Sequence, residues 1–168
     1  KDGDLYVNLF IPSVLNWKER GLTIRQETHF PETPQTTLIF SGAKKAQKIP
    51  VHLRFPTWAD AVTVLVNGKK VNINAQPGSL ITLDRKWKNG DRLEIRWEMQ
   101  VRSEVMPDNP DRRALLYGPL LLAGALGAGT FDPVYESPVL VTDDKQPAHW
   151  LAQSPTQPLA FETKGIGY

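Results

Sequence analysis

In Trp87-Lys88-Asn89-Gly90-Asp91-Arg92-Leu93-Glu94-Ile95-Arg96-Trp97-Glu98-Met99, apolar and charged side chains alternate without a miss from Arg92 onward. Side chains on extended backbone repeat every two residues, so Leu93, Ile95, Trp97 and Met99 share one face and Arg92, Glu94, Arg96 and Glu98 the other. This is a half-buried strand, and its apolar face requires a second layer. Asn89-Gly90-Asp91 is a turn, which makes Leu80 to Leu83 ahead of it another strand.

Working outward, Val62 to Val66 and Lys69 to Ile73 flank Asn67-Gly68, a pair suited to a type I′ turn because both positions need positive φ. The implied register sets Val66 against Lys69, Val64 against Val71 and Val62 against Ile73. Further upstream, Leu5 to Ile11 reads as a strand with Leu5, Val7, Leu9 and Ile11 on one face, ended by Pro12-Ser13. Leu22 to Thr28, Thr36 to Phe40 and Ile49 to Phe55 are also extended, the last with Ile49, Val51, Leu53 and Phe55 on one face and His52 and Arg54 on the other. Pro31 and Pro34 cannot donate to a ladder and interrupt it.

Downstream, Val101 to Met106 forms a strand, and Arg113 to Tyr117 and Leu120 to Ala123 read as buried strands. A helix there would place Pro119 in its interior, at a cost of about 3 kcal/mol or more. After Gly124 the chain turns to Gly, Pro and Asp, with short strand candidates at Val139 to Val141 and Leu159 to Thr163. Turn signals about every ten residues, with no helical period, predict an all-β, antiparallel β-sandwich of jelly-roll or Ig-like type with a loop-rich C-terminal part. Residues 1–124 are expected to form the core sandwich and 125–168 a loop-rich extension of the same domain, with Gly124 to Pro133 as the best linker candidate.

The absence of cysteine excludes disulfides, thiolate metal sites and cysteine nucleophiles from this chain. Its 20 basic and 18 acidic residues are interspersed, which leaves no footprint for nucleic acid or an anionic membrane. Lys44, Lys45 and Lys48, the densest basic cluster, read as a solvated loop. No run approaches the roughly 20 apolar residues of a membrane-spanning helix. The chain starts at Lys1-Asp2-Gly3-Asp4 directly before a strand, as expected of a fragment or processed chain.

Chemistry is sparse. His29, His52 and His149 lack further metal ligands at suitable spacing, and His52 reads as a surface or edge histidine. No serine sits in a Gly-x-Ser-x-Gly elbow. Glycosidases need two carboxylates roughly 5 to 10 Å apart. Glu27 with Glu32, or Asp108 with Asp111, are the available pairs, but spacing does not bring them face to face. Gly124 to Gly129 lacks the order of a nucleotide-binding loop. Trp97 is committed to the core by its alternation. Trp17, Trp58, Trp87 and Trp150 lie near turns, where an indole caps a core edge, fills an interface or forms a sugar platform.

Several stretches together resemble one family. Leu5-Tyr-Val-Asn-Leu-Phe-Ile-Pro-Ser13, Arg25-Gln-Glu-Thr-His-Phe-Pro31, Leu53-Arg-Phe-Pro-Thr-Trp-Ala59, Val66-Asn-Gly68, Trp87-Lys-Asn-Gly-Asp91 and Ala114-Leu-Leu-Tyr-Gly-Pro-Leu121 are similar, in this order, to the β-sandwich region of glycoside hydrolase family 127, the β-L-arabinofuranosidases. The resemblance implies a larger parent whose upstream (α/α)₆ barrel carries a zinc-bound cysteine nucleophile and a glutamate acid/base. None of those positions maps here, so no catalytic, cofactor or metal residue is assigned, and zinc is expected only in the parent's catalytic domain. The expected partners are that barrel and a plant-type oligosaccharide, with no nucleic acid and no membrane. A periplasmic or extracellular location suits a glycan-degrading parent. The expected function is a non-catalytic sandwich supporting the barrel. The alternatives are a carbohydrate-binding module or a structural protein-interaction sandwich, with Trp17, Trp58, Trp87 and Trp150 as the contact candidates.

Overall fold

The computed structural model describes residues 3–125 and 140–166. The chain forms two compact units, Lys1–Met99 and Gln100–Tyr168. The change of character expected at Gly124 lies inside the second, and most of Gly124 to Pro133 falls outside the described residues.

In the first unit, β1 (Leu5–Val7), β2 (Ser13–Trp17), β3 (Leu22–Thr28), β4 (Gln35–Ser41), β5 (Gln47–Arg54), β6 (Val62–Val66), β7 (Lys69–Val71), β8 (Leu80–Trp87) and β9 (Arg92–Trp97) make two sheets. One has the order β1-β5-β8 and the other β2-β3-β4-β9-β6-β7. Every pairing is antiparallel except β1 with β5, which is parallel. Alternation places Leu22 and Ile24, Leu38 and Phe40, Val64 and Val66, and Leu93, Ile95 and Trp97 in the core from the larger sheet. Ile49, Val51, Leu53, Ile81, Leu83 and Trp87 enter the same core from the smaller one. Each fully buried aliphatic side chain contributes about 1.5–3 kcal/mol, which makes this shared layer the main source of stability in the unit.

The Asn67-Gly68 hairpin adopts positive φ at both positions, 51° and 76°. Its register is Val66↔Lys69 and Val64↔Val71, as the turn type requires. The ladder ends there, without the expected Val62↔Ile73 pair, because β7 is only three residues long. Asn89-Gly90-Asp91 is a turn but not a hairpin: β8 belongs to one sheet and β9 to the other, so it carries the chain across the sandwich. Asp91, 2% exposed, ties this crossing to the hairpin. Its carboxylate accepts from Asn67 Nδ2 and from the Lys88 amide, both at 2.9 Å. Asn67 Oδ1 in turn accepts from the Arg92 amide at 2.8 Å.

The first strand departs from expectation. β1 stops at Val7, and Phe10 is buried while Leu9 and Ile11 are 63% and 56% exposed. The Phe10 ring lies 4.2 Å from Trp97 and 5.7 Å from Phe30, so the largest side chain takes the inward position and the alternation reverses. Ser13, read as the end of a strand, instead begins β2, an edge strand paired with β3.

In the second unit, β10 (Val101–Met106) and β11 (Asn109–Tyr117) form an antiparallel hairpin extended by β12 (Leu120–Leu121). Arg113 to Tyr117 and Leu120 are half-buried, contrary to the buried reading, and Leu121 is largely exposed. An apolar run shows that a strand can be buried, but a three-stranded sheet still leaves side chains at its margins in solvent. A four-residue helix, α1 (Pro147–Trp150), leads into β13 (Leu151–Gln153), paired with β14 (Phe161–Thr163). So short a helix has no period to detect. Of the Val139 to Val141 candidate, Val139 lies outside the described residues and Val141 forms an isolated bridge.

Candidate functional site

The four tryptophan candidates are placed separately, and among the described residues no two of them are in ring contact. Trp87 has no exposed surface: it stacks on Phe40 at 4.2 Å and donates from Nε1 to the Ile49 carbonyl at 2.9 Å. As a sugar or interface contact this candidate is corrected, because the turn beside it is exposed and the ring itself points inward. Trp58 is half-buried and stacks 5.9 Å from Phe30, in a cluster with Phe10 and Trp97. Trp17 packs partly against the core with the Arg20 guanidinium 4.8 Å from its ring. Trp150 belongs to the second unit, is 8% exposed and donates to the Asp144 carbonyl at 3.0 Å.

The first unit does carry an exposed apolar surface, on the segment running from β1 into β2. Tyr6, Leu9, Ile11, Val14 and Leu15 all remain open to solvent. Tyr6, Leu9, Ile11 and Leu15 border one cavity of about 340 Å³ that reaches the core at Ile24 and Leu38. Gln26 gives it a polar wall, donating to the Leu9 carbonyl at 3.1 Å and to Thr36 Oγ1 at 3.3 Å. Contiguous apolar surface of this kind marks a contact site more often than isolated exposed residues do. The period-2 reading of Leu5 to Ile11 set Leu9 and Ile11 on one face with Val7, which is buried, so periodicity alone did not mark this surface.

A polar row crosses the outer face of the smaller sheet. The register Tyr6↔His52↔Thr82 aligns three side chains. His52 Nδ1 lies 2.9 Å from Thr82 Oγ1, Nε2 lies 3.3 Å from Asp4 Oδ2, and Tyr6 stacks on the imidazole at 4.4 Å. His52 is on the surface face, as expected, although on the middle strand. The order carboxylate, imidazole, hydroxyl is that of a charge relay. A working relay also needs a concave site with oxyanion donors, whereas Thr82 is exposed and neither it nor His52 borders the apolar cavity. The row acts as a cross-strand clamp.

Glu27, Glu32, Asp108 and Asp111 are all exposed, unlike the buried acid of a glycosidase pair. The chain has no cysteine, and among the described residues no three His, Asp or Glu side chains converge. The donor set for the zinc of the resembled family does not fit here. Among the described residues no helix is long and apolar enough to cross a membrane.

Comparisons bear on what such a unit belongs to. No curated protein sequence matches the chain. Among solved structures, a protein described as a glycoside hydrolase superposes with a TM-score of 0.63 at 27% identity, over 69% of this chain and 20% of its own. A GH127 β-L-arabinofuranosidase from Geobacillus stearothermophilus gives 0.62 at 27% identity, over 72% and 20% respectively. A GH127 β-arabinofuranosidase gives 0.57 at 28% identity, over 69% and 22%. The chain therefore spans about a fifth of the length of these structures. The family profile described as β-L-arabinofuranosidase, GH127 middle domain, matches residues 4–99, more than half of the 168 residues and nearly all of the first unit. The chain belongs to the GH127 β-L-arabinofuranosidase family, through that middle domain.

Proposed function

We infer that this chain is the non-catalytic sandwich of a β-L-arabinofuranosidase-like glycoside hydrolase, and that the surface around Leu9, Ile11 and Leu15 seats the catalytic barrel of the parent enzyme. The observation that carries this reading is the exposed apolar segment in the one unit that matches the middle domain. Exposed leucines and isoleucines around a cavity gain from being covered by about 25 cal/mol per Å² of apolar area removed from water. The matched enzymes, of which the aligned part of this chain covers about a fifth, have room for such a partner. Zinc and the nucleophile belong to that partner under this reading, and a periplasmic or extracellular location follows from a plant-type oligosaccharide substrate.

The test is reconstitution. The parent's barrel, produced separately and titrated with this chain, is expected to form a complex by sedimentation velocity that the double variant Leu9→Glu, Ile11→Glu weakens at least tenfold. The variant should retain the circular dichroism of the unsubstituted chain, since both side chains are exposed. Undiminished binding by the variant would remove the docking surface. Release of nitrophenol from an arabinofuranoside by the chain alone would overturn the non-catalytic assignment.

A further inference from the structure

The second unit holds a cavity of about 400 Å³ to which neither the family match nor the docking surface assigns a role. Its origin is local. On β11, Arg113 and Leu115 are two residues apart and project from one face, Ser103 on β10 stands opposite Leu115, and the register shift between Val105 and Met106 breaks the alternation before Arg113, so that Asp111 and Arg112 both border the cavity. The segment from Leu140 to Trp150 covers that face, contributing Leu140, Thr142, Asp144, Lys145 and Trp150 to the walls. Both walls therefore combine apolar and charged side chains.

The charges do not balance. Asp144 is engaged by its own segment, accepting from the Gln146 amide at 2.8 Å and lying 2.8 Å from His149 Nδ1. Asp111 faces Lys145 at 3.7 Å. Two guanidinium groups are left. Arg112 has no ion pair among the described residues. Arg113 spends Nη1 on Ser103 Oγ at 3.1 Å, and its Nε is buried without an acceptor. A buried donor without a partner is unfavourable, and a planar guanidinium matches the paired oxygens of a carboxylate. The volume is that of a small-molecule site, and Leu115, Leu140 and Trp150 offer a surface for C–H groups beside the hydroxyls of Ser103 and Thr142.

We propose that this cleft binds a carboxylate-bearing sugar, a uronate residue, with the carboxylate on Arg112 and Arg113 and the ring against Leu115, Leu140 and Trp150. The choice of a sugar rests on the glycosidase reading above, whereas the carboxylate rests on the two arginines alone. Neither involves the Leu9 surface, so the two proposals fail separately.

The experiment is calorimetric titration of the full chain with galacturonate, galactose and benzoate. Galacturonate is expected to bind, galactose and benzoate to bind at least tenfold more weakly, and added salt to weaken the galacturonate signal. Arg112→Ala and Arg113→Lys should each lower galacturonate affinity roughly tenfold or more, through a lost charge and a lost fork respectively. Arg112 is exposed, so its replacement keeps the test valid should Arg113→Lys disturb the hairpin. Galactose binding as tightly as galacturonate would overturn the carboxylate. Benzoate binding as tightly would overturn the sugar. No heat with galacturonate, or affinity unchanged in both variants, would overturn the site.

Discussion

The two units are built from similar strands and differ in what those strands face. In the first, the central strands of two sheets turn apolar residues into one shared layer, where Phe40, Ile49, Leu53, Trp87, Leu93 and Ile95 have no exposed surface. In the second, β10, β11 and β12 are half-buried, and among its described residues Trp150 is the only buried large apolar side chain. Strand propensity is therefore not what separates them. A sheet gains most of its stability from a second sheet across about 10 Å, and where that layer is thin the same alternation leaves room for charged groups and a cleft.

Three perturbations probe this contrast. The largest effect is expected from Trp87→Ala, which removes an indole from the middle of the shared layer and should destabilise the first unit by about 3–5 kcal/mol. Urea unfolding gives the measurement, and a loss below about 1 kcal/mol would mean the layer is not the packed core described here. Next is Asp91→Ala, which leaves the Asn67 side chain and the Lys88 amide without their charged acceptor and should cost about 1.5–3 kcal/mol. Asp91→Asn, keeping one acceptor, should fall between the two. If alanine and asparagine both proved neutral by the same measurement, the tie between the crossing and the hairpin would carry no stability.

The smallest effect belongs to the second unit. The Gln146 amide, and then the His149 ring, hold the Asp144 carboxyl below the usual carboxylate range. A carboxyl with a lowered folded-state pKa lends stability that is present above its ordinary value of about 3.9 and is lost as pH falls through the lower folded value. Because the group is exposed, the expected change is local. The Trp150 indole N–H resonance, bonded to the Asp144 carbonyl, should shift as pH falls below about 4 in the unsubstituted chain. It should lack that step in Asp144→Asn. An identical titration in the variant would exclude Asp144 as its source.

The fold was largely legible. Ile49 to Phe55, Val64 with Val66, and Leu93 to Trp97 appear with the expected face buried, and Asn67-Gly68 set its register through turn geometry alone. Failures share one cause. Leu5 to Ile11 carries bulk on both faces, and Phe10 turns inward because Phe30 and Trp97 are there to receive it. Trp87 was a contact candidate from its place beside a turn and is instead the stacking partner of Phe40, 47 positions upstream. The candidate sites were less legible still. The exposed leucines were hidden by their own periodicity, and the Arg113 cleft depends on which segment covers β11.

By itself, the sequence determined the β class, the faces of the central strands, the hairpin register and the family, because each rests on near neighbours in the chain or on motifs in a shared order. Only the tertiary structure decided that the Asn89-Gly90-Asp91 turn crosses between sheets, that Leu9 and Ile11 face solvent, and that two arginines share a cleft with Trp150. Those outcomes depend on contacts between residues tens of positions apart. Local chemistry limits them without choosing among them, and close packing makes the choice.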